Sequence, residues 1–298
     1  MVEWIGAASG LGCALIWACD SIMLKTQMTK LDALMLNLIR CCFASLFFLL
    51  LLPLFGQVDR LFTTPPLSLF LLLLSVFFSL AIGDTLYYQS MALLGVSKSL
   101  PLSSTYPLFT LLLATLFLEE PFTWRLGVGA VLVIAGIYPL SIPPRALPSS
   151  PALLPSALHR KGVLFALLAS LCWSLSIILL KVSLLDLDTI TANALRMPAA
   201  TCILALLASL SQKKDPYLRV YDKRLFLILA LSGALSTGIG SLLYLTALRY
   251  AGAAKAAIFS ATSPLFGAPL SLLILKEELT WPIVLGILLT VLGIWLVL

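Results

Sequence analysis

Charge is scarce in this chain. Only 11% of the residues are Asp, Glu, Lys or Arg, there is one histidine, and the mean hydropathy of +1.08 is far above what a surface bathed in water tolerates. That poverty excludes an ordinary soluble domain and indicates an integral membrane protein. The six cysteines (Cys13, Cys19, Cys41, Cys42, Cys172 and Cys202) form no CxxC pair and have no histidine at metal-ligand spacing, so neither a disulfide framework nor a metal site is expected. They read as small packing residues. No GxxxxGK[ST] loop occurs, and no cofactor is implied. The N-terminus, "MVEWIGAASG", lacks the basic stretch of a secretory signal and runs into a full apolar span, which predicts a retained helix. The net charge of +6 sits mainly in loops, as membrane topology requires, and gives no reason to invoke nucleic acid.

Apolar length is what the chain has instead. A helix crosses the hydrocarbon layer with about 20 mostly apolar residues. Ten such segments are predicted, at 4–24, 34–54, 67–91, 99–118, 124–142, 162–180, 190–210, 225–248, 255–275 and 281–298. The expected class is therefore all-α integral membrane, embedded in the lipid bilayer, with connections too short for a soluble catalytic domain. One break stands out: "SIPPRALPSSPALLPSALHRKG", residues 141–162, is rich in proline and reads as an extended linker. It predicts units at 1–142 and 162–298 joined by a linker at 143–161.

The units repeat each other. A shift of 156 residues matches Gly6 with Gly162, Trp17 with Trp173, Lys25 with Lys181, Asp32 with Asp188, Asn37 with Asn193 and Arg40 with Arg196. After a one-residue insertion the shift is 157. It then matches Gly83 with Gly240, Tyr87 with Tyr244, Lys98 with Lys255, Pro107 with Pro264, Glu120 with Glu277 and Trp124 with Trp281. Each copy holds five spans, an odd number, so the second copy must enter the membrane from the opposite side. Two inverted five-helix repeats place a site near the midplane between the halves and suit alternating access. The matched stretches "SSTYPLF" and "SATSPLF" are expected to bend the fourth and ninth helices at Pro107 and Pro264, freeing carbonyls toward a cavity or leaving a packing kink relieved by neighbouring helices.

A tryptophan midway along the first helix of each half, an arginine early in the second, and Pro-Leu-Phe followed by "LEEPFTW" or "LKEELTW" and a glycine-spaced last helix form an ordered pattern, present twice. The chain resembles the EamA-like branch of the drug/metabolite transporter superfamily. Its signature falls on Glu120 and Glu277, with Glu119, Lys276 and Pro121 departing from the usual residues. The resemblance implies secondary transport in the bacterial inner membrane, by an exporter class that moves small metabolites such as amino acids, or toxic compounds, without ATP.

Ionisable groups inside a span are costly and so are candidates for function. Helical rise puts Asp20 about 7 Å before the end of its helix, Asp84 about 10 Å before the end of its own and Arg40 about 10 Å into the second, all in one layer. Arg40 is thus expected to pair with an aspartate. Arg196 sits at the mirror depth with only Ser176 and Ser241 at the acid positions, and is expected to bind a substrate carboxylate or phosphate, or else to anchor its helix at the interface. Asp20 and Asp84 are candidates for proton coupling or for a static ion pair with Arg40. Trp17, Trp173, Tyr87, Tyr88, Tyr106 and Tyr244, with Ser103, Ser260 and Ser263, are candidates to line the substrate cavity, or else packing and interface residues. Gly6 with Gly10, and Gly129 with Gly136, predict close helix packing, with a homodimer face as one use.

Rival readings are a channel or lipid scramblase and, more remotely, an aspartyl intramembrane protease, whose GxGD motif is missing because Ala81 stands two before Gly83. Orientation has two answers. Loop charges number twelve basic residues on one face against five on the face shared with the termini, which places the termini outside the cytoplasm. The resemblance implies termini inside.

Overall fold

The computed structural model describes residues 2–25, 33–94, 99, 102–140, 156–210, 223–263, 265–267, 270 and 281–298. Every regular element among them is a helix. In chain order these are α1 (Val2–Lys25), α2 (Ala33–Leu54), a short α3 (Val58–Phe62), α4 (Pro66–Val76), α5 (Asp84–Leu94), α6 (Tyr106–Phe117) and α7 (Trp124–Leu140). The second half supplies α8 (Ser156–Ser183), α9 (Thr189–Leu210), α10 (Lys223–Ser232), α11 (Ser241–Ala251), α12 (Ala253–Ser260) and α13 (Trp281–Val297). Only helices and closed barrels satisfy their backbone polar groups internally, which is what lipid demands.

Five helical stretches are long and apolar enough to cross a membrane unaided: Leu34–Leu54, Pro66–Tyr87, Ala157–Ser183, Thr189–Leu210 and Lys223–Ala251. Trp4–Asp20, Tyr106–Phe117, Trp124–Pro139 and Val284–Val297 are shorter apolar helices. The sides are reversed relative to a soluble protein. Leu49, Leu50, Phe70, Leu116, Val131 and Leu288 point outward, while Ser75, Thr110, Ser170, Ser174, Thr191 and Asn193 are buried.

Two stretches widen into π-helical turns, Phe77–Gly83 between α4 and α5 and Gly233–Gly240 between α10 and α11. Such turns shift backbone register inside a helix and occur often at functional sites. They occupy matched places in the repeat. Packing between the halves is reciprocal as well: α1 lies on α11, α5 on α8, α2 on α9 and α7 on α13. At the last crossing the backbones touch, since a Cβ on Gly293 would lie 2.7 Å from the Gly129 carbonyl and one on Gly129 would lie 2.8 Å from the Gly293 carbonyl.

Several expectations need correction. Pro107 does not bend a helix interior. The chain turns at Ser104–Thr105, and Pro107 stands in the first turn of α6, where a missing N–H costs nothing. The carbonyl that the missing N–H of Pro107 leaves open, Ser103 O, accepts from Ser170 Oγ (3.0 Å), and Ser174 Oγ donates to Tyr106 O (2.8 Å). Pro264 lies outside the described residues. Helix α8 begins at Ser156, so 156–161, expected as linker, is helical; nothing after Pro155 in "SALHRK" interrupts a helix. The close packing expected of the GxxxG glycines is found, and within the chain rather than at a dimer face: a Cβ on Gly6 would meet Ala251, and one on Gly10 would meet Phe259, each at 2.7 Å.

Candidate functional site

The π-helical turns hold the site in place. Gly83 closes the first turn, and a Cβ there would lie 2.7 Å from the Trp173 ring; Gly240 closes the second, and a Cβ there would lie 2.9 Å from Trp17 Nε1. Each half therefore seats the tryptophan of the other against a glycine. The rings continue into the matched tyrosines, with centroids 5.6 Å apart for Trp17 and Tyr244 and 5.3 Å for Trp173 and Tyr87. Tyr106 meets the Trp173 ring edge-on at 6.0 Å and donates its hydroxyl to Ala257 O at 3.1 Å, with Ser260 Oγ 2.8 Å away.

These side chains surround a cavity of about 370 Å³. Trp17, Trp173, Tyr87, Tyr106 and Tyr244 line it, as do Ser103, Ser260 and Ser263. So do Arg40, Asp84 and Arg196. Asp20 does not line the cavity, nor does Pro107, and the Tyr88 side chain lies outside the described residues. Residues that the sequence reading did not single out as site residues are there too, among them Asn37, Ser79, Ser176, Ser236 and Ser241. The shift of 157 that matches the glycines also matches Ser79 with Ser236, and Ser75 with Ser232. Serine is too common in this chain for that match to be seen without the rarer residues around it.

The polar contacts repeat between halves and then diverge. Arg40, on α2, donates through Nη2 to Asp20 Oδ2 (2.6 Å) and Ser236 Oγ (3.1 Å), and through Nε to Ser232 Oγ (2.8 Å). Arg196, on α9, donates through Nη2 to Ser79 Oγ (3.3 Å). It is 8% exposed, no carboxylate among the described residues lies within ion-pair distance of it, and its Nε has no hydrogen-bond partner among them. An unmade bond to a buried donor costs about 1–3 kcal/mol. The cavity thus holds one arginine in an ion pair with a carboxylate and one that, among the described residues, has no carboxylate within ion-pair distance, although Asp84 shares the cavity.

Asp84 lines the same cavity but is not within ion-pair distance of Arg40. Its Oδ1 accepts from Trp173 Nε1 at 3.0 Å and its Oδ2 from Asn37 Nδ2 at 3.3 Å. In the second half the corresponding residues are neutral: Ser241 Oγ donates to Asn193 Oδ1 at 2.8 Å, and Trp17 Nε1 turns to Ser236 O at 3.4 Å.

Helix α9, which carries Asn193 and Arg196, is fixed at its start by Asp188. Its Oδ1 accepts from the N–H groups of Ile190 and Thr191, each at 3.0 Å, and its Oδ2 from Thr191 Oγ1 (2.7 Å) and Arg60 Nη1 (2.9 Å). This is N-capping reinforced by an ion pair. Partial burial by itself raises the Asp188 carboxyl, but hydrogen bonds from Thr191, Arg60 and Ile190 outweigh it and hold the group below its usual value. On the same face Glu120 accepts from Ala253 N (2.6 Å) and Ala254 N (3.1 Å) at the start of α12, beside Gly252 with its φ of +87°. Among the described residues no group of His, Cys, Asp and Glu is arranged to hold a metal ion.

Comparison with known proteins adds the class. The EamA-like transporter family matches residues 4–142 and again 160–298. An uncharacterized transporter of Archaeoglobus fulgidus is 28% identical over 97% of this chain and 96% of its own length. The uncharacterized transporter YvbV of Bacillus subtilis is 26% identical over 46% of this chain and 44% of its own. A solved crystal structure shares the fold at a TM-score of 0.80, covering 98% of this chain and 95% of the other at 15% identity.

Proposed function

Because the chain belongs to the EamA-like transporter family, and is thus a multi-pass membrane transporter, we propose that it is a secondary active exporter of small metabolites such as amino acids and related compounds. It works by alternating access at the interface of two inverted repeats. The repeats are residues 1–142 and 162–298, each contributing five spans. Reciprocal packing supports the inversion: the tryptophan of each half on the glycine of the other, and α1 on α11 where α8 lies on α5. Such pairs follow when one half is turned over onto the other.

One observation carries the reading. A cavity lined by both halves holds Arg196, buried and without a carboxylate partner among the described residues, together with Asp84 and a set of aromatic rings and hydroxyls. Arg196 takes the anionic group of the substrate. Asp84 faces a substrate amine or a proton, which would couple movement to a proton gradient. The aromatic rings take the organic body.

Alternating access is tested by labelling. With the native cysteines replaced, Ser263→Cys in the cavity wall should react with an impermeant thiol reagent from either side of the membrane, and substrate should shift reactivity toward one side. Reactivity from one side only, unchanged by substrate, contradicts alternating access. Simultaneous free access from both sides favours a channel or scramblase instead.

A further inference from the structure

The first half displays what the second lacks. Around Arg40 stand a carboxylate, Asp20, and two hydroxyls, Ser232 and Ser236, at 2.6, 2.8 and 3.1 Å. Around Arg196 the repeat keeps only the counterpart of Ser236, which is Ser79 at 3.3 Å. The counterpart of Ser232 is Ser75, whose hydroxyl turns to Leu72 O at 2.7 Å. The counterpart of Asp20 is Ser176, which is 2% exposed and donates to Ser75 O at 2.8 Å. Arg196 therefore misses both the anion and one acceptor that complete Arg40, and its orphan Nε is the atom that Ser232 satisfies in the other half. Ser176 and Arg196 both line the cavity.

We infer that the substrate is a monocarboxylate whose carboxylate docks on Arg196 beside Ser176, taking the place that Asp20 takes beside Arg40. This rests on the cavity being the transport site. Charge sets the class. Arg40 is balanced by Asp20, so one positive charge, that of Arg196, faces the incoming anion, while Asp84 shares the cavity. A carboxylate matches that single charge and the planar fork of the guanidinium. A phosphate dianion would bring a second negative charge into a space already holding a carboxylate. Size of side chain matters too: serine in place of aspartate leaves room for the ligand oxygen. Ile177, Leu180 and Met197, next along the same two helices, line the cavity and give the ligand's body an apolar wall.

The experiment uses the purified full-length protein in detergent and reads its melting temperature with benzoate, phenylpyruvate and L-phenylalanine, against phenyl phosphate and benzyl alcohol at matched ionic strength. At least one carboxylate should raise the wild-type melting temperature, and neither control should. Ser176→Asp supplies the carboxylate from within the chain. Its unliganded melting temperature should equal or exceed that of the wild type, and its response to carboxylates should vanish. Ser176→Ala, which leaves the room and adds no charge, should keep the response. Adding Arg196→Met to Ser176→Asp should lower the melting temperature by stranding the new charge. No carboxylate shift in the wild type, a phenyl phosphate shift as large as that of benzoate, or equal loss in the Asp and Ala variants overturns the inference. Loss with Arg196→Met alone but full retention in Ser176→Asp overturns the docking position and leaves Arg196 as the anion site; retention without Arg196 overturns both.

Discussion

Arg40 and Asp20 lie 2.6 Å apart, and their counterparts, Arg196 and Ser176, form no ion pair. Under the proposed function, the difference separates a structural arginine from one that binds the ligand. Arg40→Ala strands a buried aspartate, a change that costs on the order of 3–5 kcal/mol when one partner of a buried pair is removed. Folded yield and denaturant midpoint of Arg40→Ala should fall, with Asp20→Asn milder. Arg196→Ala should reach the membrane in near wild-type amount and fail to transport. Equal loss of yield in both would remove the distinction.

The Asp84 contacts predict a coupling phenotype. Trp173 and Asn37 both donate to its carboxylate, so Asp84→Asn keeps shape and removes charge. In proteoliposomes the variant should lose accumulation driven by a proton gradient and retain exchange of substrate for substrate. Gradient-driven accumulation at the wild-type level in Asp84→Asn would show that no proton passes through this group.

Gly83 and Gly240 predict matched steric effects. A methyl group at Gly83 would approach the Trp173 ring at 2.7 Å and the Phe78 carbonyl at 2.9 Å. Overpacking of this kind costs about 1–3 kcal/mol, and relief requires the ring to leave the cavity wall. Gly83→Ala and Gly240→Ala should each lower transport more than they lower folded yield, with a change in tryptophan fluorescence.

Much of the fold could be read from rare residues. Trp17 and Trp173, Arg40 and Arg196, and Gly83 and Gly240 established the repeat because chance matches among such residues are few. The partners of those residues could not be read in the same way. Ser79, Ser232 and Ser236 are lost in a chain full of serine, and nothing local in "FFSLAIG" or "GALSTGIG" announces a π-helical turn, since the extra residue is accommodated by packing against the other half. Pro107 misled for a physical reason. Proline is as suited to the first turn of a helix as it is unsuited to the interior, and only the turn at Ser104–Thr105 decides between them.

Asp188 predicts a pH dependence of α9. Its folded value is depressed, so its contribution is fully present above the ordinary aspartate value of about 3.9 and fades as the pH falls through the lower folded value. Asp188→Ala should remove about 0.5–2 kcal/mol, typical of a lost N-cap. Thermal stability measured from pH 7 down to the acid limb should show the wild type and the variant converging at low pH. A constant gap across that range would assign the loss to packing.

The proposed transport cycle depends on Arg196 binding the transported solute. The decisive measurement is counterflow in proteoliposomes holding equal amounts of wild-type or Arg196→Ala protein, preloaded with unlabelled carboxylate and given labelled carboxylate outside. If Arg196 binds the solute, the wild type should show saturable, transient accumulation of label and the variant none. Flux that is linear in concentration, or saturable counterflow that survives Arg196→Ala, would contradict it.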